Sequence, residues 1–565
     1  MSVMTNFGGK HANAMAAKES ASAFAARLVQ TVLGQSTNTT ADAGLATLSA
    51  QLKGMDATIW QESADALVRA GRYALAARLL ERALQRFPGR VELEMRQGEA
   101  WQLAGDGERA LRVLEGLAQR HPADAAVAFS LAHVLREQGR YDAATQRIRR
   151  CAQQAPTDAV RVARCAQFAM QCQRDEVAQA LSEEALTAGV VDARLLALAG
   201  RAALVLGDFD RARARLLEAL DRGVNCNESY VALLLSMAQR YSDAEHPDFA
   251  LFERLLRDPA LLPPARGATL LAMGKACDDV GDMPGAVRAL REGNALLRSV
   301  RPWSRADWER VVERQLAAAP PVAHMAHAAI DESFKPVFIV GMPRTGTTLI
   351  AERLARDARV CNRDESAWLP HVAGLLDADP LASPERLEQA ARLYRTHLRQ
   401  DDAPAQWYVD KNPLNFRYLG AAAALFPNLR VIWCRRGPRD TALSIWSHFF
   451  GNPDNGYARD FDDIAVVTRD CERLMRHWSA QAGLPVLAVD YEDTVAQPEA
   501  VLARVRSFIG MPEAEAQAED VGRRQAIVTA STWQARQPIY RHAVERWRGY
   551  EAYLPEMLRA FPGPV

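Results

Sequence analysis

Apolar and small residues recur with a helical period along the N-terminal half, and glycine interrupts the pattern at regular intervals. Gly71, Gly105 and Gly139 lie 34 residues apart, and Gly207 follows two periods later. Gln173 takes the place of glycine at the intervening step. Glycine ends a helix well because it adopts positive φ without a steric penalty. The spacing therefore predicts consecutive two-helix units, each with a turn at one of these positions.

Proline and alanine keep the same spacing. A proline closes three of the predicted units, at Pro88, Pro122 and Pro156, and an alanine follows the turn glycine by five residues, at Ala76, Ala110, Ala144 and Ala212. Proline stops a helix, and a small side chain lets two helices approach closely. A 34-residue helix–turn–helix period is typical of tetratricopeptide (TPR) repeats. We predict an α-solenoid over residues 45–300, with an insertion near residues 243–264 and a further unit that begins at Gly281.

The pattern changes at residue 336, where a strand is followed by a glycine-rich loop. Val337 to Val340 form a β-branched and aromatic run, and the sequence GMPRTGTT follows at once, before a helical run. A strand, such a loop and a helix bind phosphate because backbone N–H groups and the helix dipole point at the anion. A Walker A loop has lysine at the position that Thr347 occupies here. We therefore expect a phosphate loop that does not serve a triphosphate.

Four further strands are predicted, and each ends immediately before polar residues. The strands cover residues 359–362, 406–409, 429–434 and 484–489, and they end at RDES, DKNP, RRGPRD and DYE. Strands that alternate with helices predict a parallel sheet, whose ligands bind beyond the carboxyl ends of the strands. Arg344, Glu365, Lys411 and Arg436 are therefore predicted to project toward one edge. One carboxylate among several cations and a phosphate loop indicates a group-transfer enzyme.

Composition narrows the class of protein. The 565 residues are 49% hydrophobic, with 69 Lys+Arg against 69 Asp+Glu, so a folded chain is expected without a global attraction to nucleic acid or anionic membrane. The eight cysteines show no CxxC pair and no metal-ligand spacing, which favours reduced thiols and a cytoplasmic location. No apolar run approaches the roughly 18 residues of a membrane span, and the N-terminus does not read as a signal peptide.

Two segments resemble a known family. VFIVGMPRTGTT resembles the 5′-phosphosulfate loop of sulfotransferases, and VIWCRRGPRDTALS resembles their 3′-phosphate motif. The tandem arrangement resembles the bacterial TPR-containing sulfotransferases, whose catalytic half is similar to the tyrosylprotein sulfotransferases. The resemblance implies a TPR α-solenoid followed by a P-loop-type α/β sulfotransferase domain with a parallel sheet. It divides the chain into a flexible N-terminal segment (1–44), TPR repeats (45–300), a connecting helix and linker (301–335) and a PAPS-dependent sulfotransferase domain (336–565).

The resemblance also implies the roles of individual residues. The co-substrate would be PAPS (3′-phosphoadenosine 5′-phosphosulfate), the product PAP, and no metal would be required. Glu365 would be the general base, Lys411 the cation on the leaving group, and Ser531 a third catalytic residue. The cofactor-binding residues would be Arg344, Thr345, Gly346, Thr347 and Thr348 in the loop, Arg436 and Ser444 at the 3′-phosphate, Tyr491 at the nucleotide, and Arg546 on the loop that closes over the cofactor.

Several alternatives stay open at this stage. His448 is a rival base, because small-molecule sulfotransferases use a histidine. The acceptor hydroxyl could belong to a protein tyrosine, a saccharide or a small phenol; Ala367, where tyrosylprotein sulfotransferases have an arginine, weakens the case for acidic peptides. The TPR arm could hold a protein or peptide on its concave face or form a homodimer. The alternative function is a TPR scaffold with a P-loop kinase-like or non-catalytic nucleotide-binding domain. Arg417, Arg435 and Arg439 are expected to pair with acids or face water.

Overall fold

The structure is a computed structural model that describes residues 20–34, 41–317, 331, 333–377, 383–401, 405–481, 483–512 and 543–563. The chain divides into two compact units, Met1–Ala155 and Pro156–Val565. The predicted domain boundaries are not the same as this division, and they stay a prediction.

The first unit consists of helices joined by short turns. The helices are α1 (Ala21–Gly34), α2 (Ala41–Gln51), α3 (Ala57–Arg69), α4 (Tyr73–Arg86), α5 (Val91–Leu103), α6 (Gly107–Arg120), α7 (Ala125–Glu137) and α8 (Tyr141–Gln153). Gly71, Gly105 and Gly139 adopt φ of 70–80° in the turns, as the repeat pattern predicts. The alanines five residues later are fully buried. Helix α1 lies within the segment that the sequence marks as flexible, of which residues 1–19 and 35–40 fall outside the described part.

The second unit begins with the same helical pattern. Its helices before the sheet are α9 (Ala159–Gln171), α10 (Asp175–Thr187), α11 (Ala193–Leu206), α12 (Phe209–Asp221), α13 (Cys226–Ser229), α14 (Val231–Met237), α15 (Pro247–Arg257), α16 (Pro263–Asp279), α17 (Met283–Val300) and α18 (Arg305–Ala317). Aspartate side chains at Asp158, Asp192, Asp208 and Asp282 cap helix N-termini by accepting from backbone N–H groups. Helix α15 occupies the predicted insertion.

A five-stranded parallel sheet follows. Its strands are β1 (Lys335–Gly341), β2 (Val360–Asn362), β3 (Trp407–Asp410), β4 (Arg430–Arg435) and β5 (Val486–Asp490), in the order β2-β3-β1-β4-β5. The α-helices of this region are α19 (Thr347–Leu354), α20 (Trp368–Asp377), α21 (Pro384–Arg399), α22 (Leu419–Leu425), α23 (Pro438–Trp446), α24 (Phe461–Arg476), α25 (Tyr491–Ala496), α26 (Pro498–Phe508) and α27 (Pro555–Ala560). Short 3₁₀ segments cover Pro413–Tyr418, Pro453–Arg459 and Arg546–Tyr550, and a π-turn covers His477–Gln481. The predicted parallel sheet is confirmed.

The sheet is buried on both faces. Val337 and Ile339 of β1 pack with α19 and α26, while Phe338 and Val340 pack into a larger cluster on the opposite face. Successive side chains of a strand point to opposite faces, so a continuous apolar run suits a strand covered on both sides. The chain leaves β1 toward β2 and β3 and later crosses to β4, which makes the β1–β4 boundary the topological switch point where ligands bind.

Helices α16 to α18 share the larger core with the sheet. Leu271, Leu290 and Trp308 belong to the same buried cluster as Phe338. The Trp308 indole Nε1 donates to Asp470 Oδ2 at 3.0 Å, within the buried interior. These helices and the sheet therefore pack as one hydrophobic unit. Across the described residues, no helix is long and apolar enough to cross a membrane.

Candidate active site

The loop after β1 forms a cradle of backbone amides and hydroxyls at the switch point. Helix α19 begins at Thr347 and is preceded by Gly346, whose φ is 91°. The side chains of Thr345, Thr347 and Thr348 are buried. A Cβ on Gly341 would lie 2.2 Å from the carbonyl oxygen of Cys434, so only glycine fits beside β4. Helix α19 has eight residues, and the backbone N–H groups of its first turn are available at this cradle to bind an anion.

Arg436 closes the cradle from the end of β4. Its Nη1 donates to the carbonyl oxygen of Arg344 at 3.0 Å, and its guanidinium lies 4.7 Å from the ring centroid of Tyr491. Arg344 Nε in turn donates to Ser444 Oγ at 3.1 Å. The structure thus brings together four residues that the sequence assigns to the nucleotide: Arg344, Arg436, Ser444 and Tyr491.

One atom of Arg436 fits a further anionic ligand. Its Nε is buried and, among the described residues, has no hydrogen-bond partner. Burial lowers the pKa of Arg436, yet an arginine side chain keeps its proton in proteins. A buried guanidinium N–H without an acceptor is costly unless a ligand supplies one. The residues present therefore fit a phosphate group at this point.

Lys411 and Glu365 meet at the same edge, as the sequence predicts. Lys411 follows β3 directly and is fully buried, and its Nζ lies 3.0 Å from Glu365 Oε1 and 2.5 Å from Asp364 Oδ1. Burial lowers the pKa of Lys411, but Asp364 and Glu365 outweigh it and the net shift is upward. Lys411 is therefore a permanent cation at neutral pH. The Glu365 side chain is 45% exposed, so its carboxylate remains open to an incoming group.

Asp410 lies in the buried interior next to Lys411. It is fully buried at the end of β3, accepts from Tyr394 Oη at 2.7 Å and accepts from Asn415 Nδ2 at 3.0 Å. Burial raises the pKa of Asp410 to about 7, although the two donors and Lys411 oppose the shift. The side chain belongs to the interior beneath Lys411 and does not form part of the exposed site.

His448 is a neutral group in this structure. Its Nδ1 lies 2.7 Å from the carbonyl oxygen of Ser444, which makes Nδ1 the protonated nitrogen. Burial and the positive charges of Arg344, Arg546 and Lys275 hold the pKa of His448 well below its usual range. The tautomer leaves Nε2 unprotonated. Its place at the C-terminal end of α23 keeps it near Ser444 rather than paired with Lys411.

The segment after β5 and α26 returns to the site at residue 543. The Arg436 guanidinium contacts the carbonyl oxygen of Ala543, and the backbone N–H groups of Glu545 and Trp547 donate to Asp440 at 2.7 and 2.9 Å. The adjacent Arg546 pairs with Asp278 of α16. Ser531 lies outside the described residues, so its predicted role stays a prediction.

The three arginines that were expected not to bind all have protein partners. Arg417 pairs with Asp454 at 2.7 Å, and Arg435 pairs with Asp490 at 2.7 Å. Arg439 donates to the carbonyl oxygens of the C-terminal residues Phe561 and Gly563. Within the described residues no group of three or more His, Cys, Asp or Glu side chains is placed to hold a metal ion.

Sequence reasoning missed two acidic residues of the site. Asp364 forms the shorter contact with Lys411, and the only signal for it was its position beside Glu365. Asp278 lies in a repeat helix, and nothing in the repeat pattern distinguishes it from a surface acid. Its partner is Arg546.

Comparison with known proteins finds a family match in each half of the chain. Residues 336–515 match the sulfotransferase family, and residues 67–134 and 102–166 match the tetratricopeptide repeat. One segment of the chain thus matches the tetratricopeptide repeat and a later segment matches the sulfotransferase family. The predicted fold class, helical repeats followed by an α/β domain with a parallel sheet, is therefore confirmed.

Individual relatives are distant. A protein of Aquifex aeolicus (strain VF5) is 27% identical over 326 residues, which covers 54% of this chain and 43% of that protein. The chain thus spans less than half the length of this relative. Sulfotransferase STF9 from Mycobacterium avium aligns with 58% of this chain and 98% of its own, at 17% identity and a TM-score of 0.25. A tetratricopeptide repeat protein from Parabacteroides merdae ATCC 43184 aligns with 45% of this chain and 96% of its own, at 13% identity and a TM-score of 0.28.

Proposed function

We propose that the protein is a PAPS-dependent sulfotransferase that transfers the sulfuryl group to a hydroxyl acceptor. The observation that carries the proposal is the meeting of a glycine-rich phosphate loop, a buried lysine with an acidic neighbour, and Arg436 at one sheet edge. The sulfotransferase-family match covers the segment that contains all three.

The loop and Arg436 would bind the two ends of the nucleotide. The N–H groups at the start of α19 and the hydroxyls of Thr347 and Thr348 would receive the 5′-phosphosulfate. Arg436 Nε, which has no partner among the described residues, would donate to the 3′-phosphate, with Ser444 beside it. ATP has no phosphate at that position, so this contact favours PAPS over ATP by charge-assisted hydrogen bonding.

The Glu365–Lys411 pair would carry the chemistry. When bound, PAPS supplies an activated sulfuryl group whose bridging oxygen departs with the 5′-phosphate. Glu365 would accept the proton of the acceptor hydroxyl while the oxygen of that hydroxyl forms the new bond to sulfur. Lys411 would stabilise the negative charge that collects on the bridging oxygen as the old S–O bond breaks. Its raised pKa keeps it cationic for this task. The departing group would be PAP, which carries one phosphate at its 5′ position rather than three, and Thr347 stands where a triphosphate-binding loop has lysine.

The repeats give the protein a capacity for protein contact. A protein or peptide acceptor, a saccharide and a small phenol are all compatible with the exposed carboxylate of Glu365. An acceptor screen with labelled PAPS would distinguish these classes.

Ligand-induced thermal stabilisation tests the proposal. We expect 3′,5′-ADP to raise Tm without Mg²⁺, and 5′-AMP to raise it less, because only the former engages Arg436. A larger response to Mg-ATP would instead identify a kinase-like domain. No response to any of the three would identify a non-catalytic fold attached to a repeat scaffold.

A further inference from the structure

Two non-glycine residues with left-handed backbone lie in the candidate site. Among the described residues, six non-glycine residues have positive φ: Gln173, Tyr230, Arg344, Asp364, Gln400 and Glu545. Such conformations are costly for residues with a Cβ and are retained where surrounding contacts enforce them. Arg344 lies in the phosphate loop, and Asp364 precedes Glu365. Two of the others, Gln173 and Gln400, are outside any role described so far.

Gln173 stands at a position where the repeat pattern uses glycine. Its φ is 55°, in the turn between α9 and α10, whereas Gly139 and Gly207 adopt φ of 73° and 81° at the same position of other repeats. Glycine would satisfy this backbone without strain. Glutamine at this position adds a polar side chain that glycine does not have.

The Gln173 side chain contacts the loop of the proposed base. Gln173 Nε2 donates to the carbonyl oxygen of Arg363 at 3.5 Å, two residues before Glu365. The neighbouring Arg174 is buried, and its Nη2 donates to Gln400 Oε1 at 2.9 Å. Gln400 ends α21 with φ 52° and ψ −163°, a region that is essentially reserved for glycine. The α9–α10 turn thus contacts two later segments, one at Arg363 and one at Gln400.

Arg363 connects these two contacts. Its Nε donates to the carbonyl oxygen of Leu398 at 2.6 Å and its Nη2 to that of Arg399 at 2.8 Å, at the end of α21. The α9–α10 turn, the end of α21 and the backbone of Arg363 therefore form one hydrogen-bonded network. Asp364 follows directly, and its carbonyl oxygen accepts from the backbone N–H of Lys411 at 3.0 Å.

We propose that Gln173 and Arg174 are positioning residues, through which the repeat turn fixes the loop that carries Glu365. The inference rests on the proposed role of Glu365. The backbone of residues 363–365 places the half-exposed side chain of Glu365 relative to Lys411. The sheet holds this backbone on one side, where the Arg363 N–H donates to the carbonyl oxygen of Val409 at 2.9 Å, and the α9–α10 turn holds it on the other side, at the carbonyl oxygen of Arg363. The repeats then contribute to catalysis without touching the substrate.

Two glycine variants test this without the risk of misfolding. Gln173→Gly and Gln400→Gly each remove a contact of the network while relieving a positive-φ backbone, so we expect Tm to stay the same or rise. Hydrogen exchange of the Asp364 and Lys411 backbone amides, measured with 3′,5′-ADP bound, should become roughly tenfold faster, because the loop is no longer held. A role limited to repeat packing would lower Tm and leave these two amides unchanged.

The matched control is Gly207→Gln, which places glutamine at the equivalent turn of the next repeat. It should lower Tm and leave the exchange of Asp364 and Lys411 as in the wild type. Unchanged exchange at these amides in both glycine variants would overturn the inference. Turnover of labelled PAPS, with the acceptor found by screening, should fall about tenfold in both variants while 3′,5′-ADP affinity is kept. If Glu365→Gln keeps full turnover, the proposed role of Glu365 as the base fails, and the exchange rates still decide whether the turn holds the loop.

Discussion

The carboxylate of Asp278 in α16 forms an ion pair with the guanidinium of Arg546, 268 residues later in the chain. The other oxygen of the same carboxylate accepts from Tyr550 Oη. Burial lowers the pKa of Arg546, but Asp278 and Tyr550 reverse the shift, so the arginine is held cationic. A helix of the repeat region therefore holds in place the positive charge of Arg546, the residue that the family resemblance assigns to nucleotide binding.

Replacing Asp278 should weaken nucleotide binding. In Asp278→Asn, Arg546 loses its counter-charge and its fixed position, and we expect Kd for 3′,5′-ADP to rise about tenfold, or ~1.4 kcal/mol. Isothermal titration measures this directly. Glu253→Gln is a suitable control, because it removes an exposed pair with Arg257 in α15 and should change neither Kd nor Tm by a measurable amount. Equal affinities in the wild type and Asp278→Asn would show that Arg546 does not contact the nucleotide.

Arg436 should distinguish nucleotides by their 3′-phosphate. Arg436→Lys keeps a positive charge but loses the forked guanidinium, and we expect 3′,5′-ADP to bind more weakly by about 2–5 kcal/mol. The affinity for 5′-AMP should change far less, since that ligand has no group for Arg436 to contact. Titration of both ligands against both proteins forms a double-mutant cycle. If Arg436→Lys weakens the binding of both nucleotides equally, Arg436 acts only by holding the structure of the loop.

Glu365 should be needed for turnover and not for nucleotide binding. We expect Glu365→Gln to lower kcat by roughly 100-fold to 10,000-fold, the usual contribution of a general base, with the Kd of 3′,5′-ADP nearly unchanged. His448→Gln is the comparison, and its kcat should fall less than tenfold. The base assignment is wrong if Glu365→Gln retains full kcat while His448→Gln abolishes it.

The stability of the second unit should fall as pH rises from about 4 to about 7. The pKa of Asp410 is raised to about 7 by burial, whereas an unfolded aspartate titrates near ~3.9. Between these values the folded state binds more protons, so the free energy of unfolding decreases with rising pH. Asp410→Asn cannot ionise, and its Tm relative to the wild type should increase between pH 5 and pH 8. A difference in Tm that is constant across that range would contradict the assignment.

The parts of the fold that were predictable have strong local signals. Strand β3 was expected at residues 406–409 and lies at Trp407–Asp410, because a buried parallel strand is an uninterrupted apolar run. The repeat turns were equally clear, since glycine at a fixed period has a single structural meaning. Lys411 and Arg436 followed from their positions at strand ends.

The rest depends on contacts between distant segments. No local pattern relates Asp278 to Arg546 or Gln173 to Arg363, because each pair joins the helical repeats to a segment more than 180 residues later. Two adjacent carboxylates are also difficult to tell apart from the sequence. The sequence does not say whether Asp364 or Glu365 contacts Lys411, and in the structure both do.

The common core of α16 to α18 and the sheet has a consequence for gene architecture. The indole of Trp308 packs near Phe416 and Tyr457, which belong to the α/β region. A polypeptide that starts at β1 would lack helices α16 to α18 and would expose a large hydrophobic surface to water, which favours aggregation. Exchange of catalytic modules between such proteins by recombination should therefore preserve the helices that precede the sheet, and the breakpoint would fall among the earlier repeats.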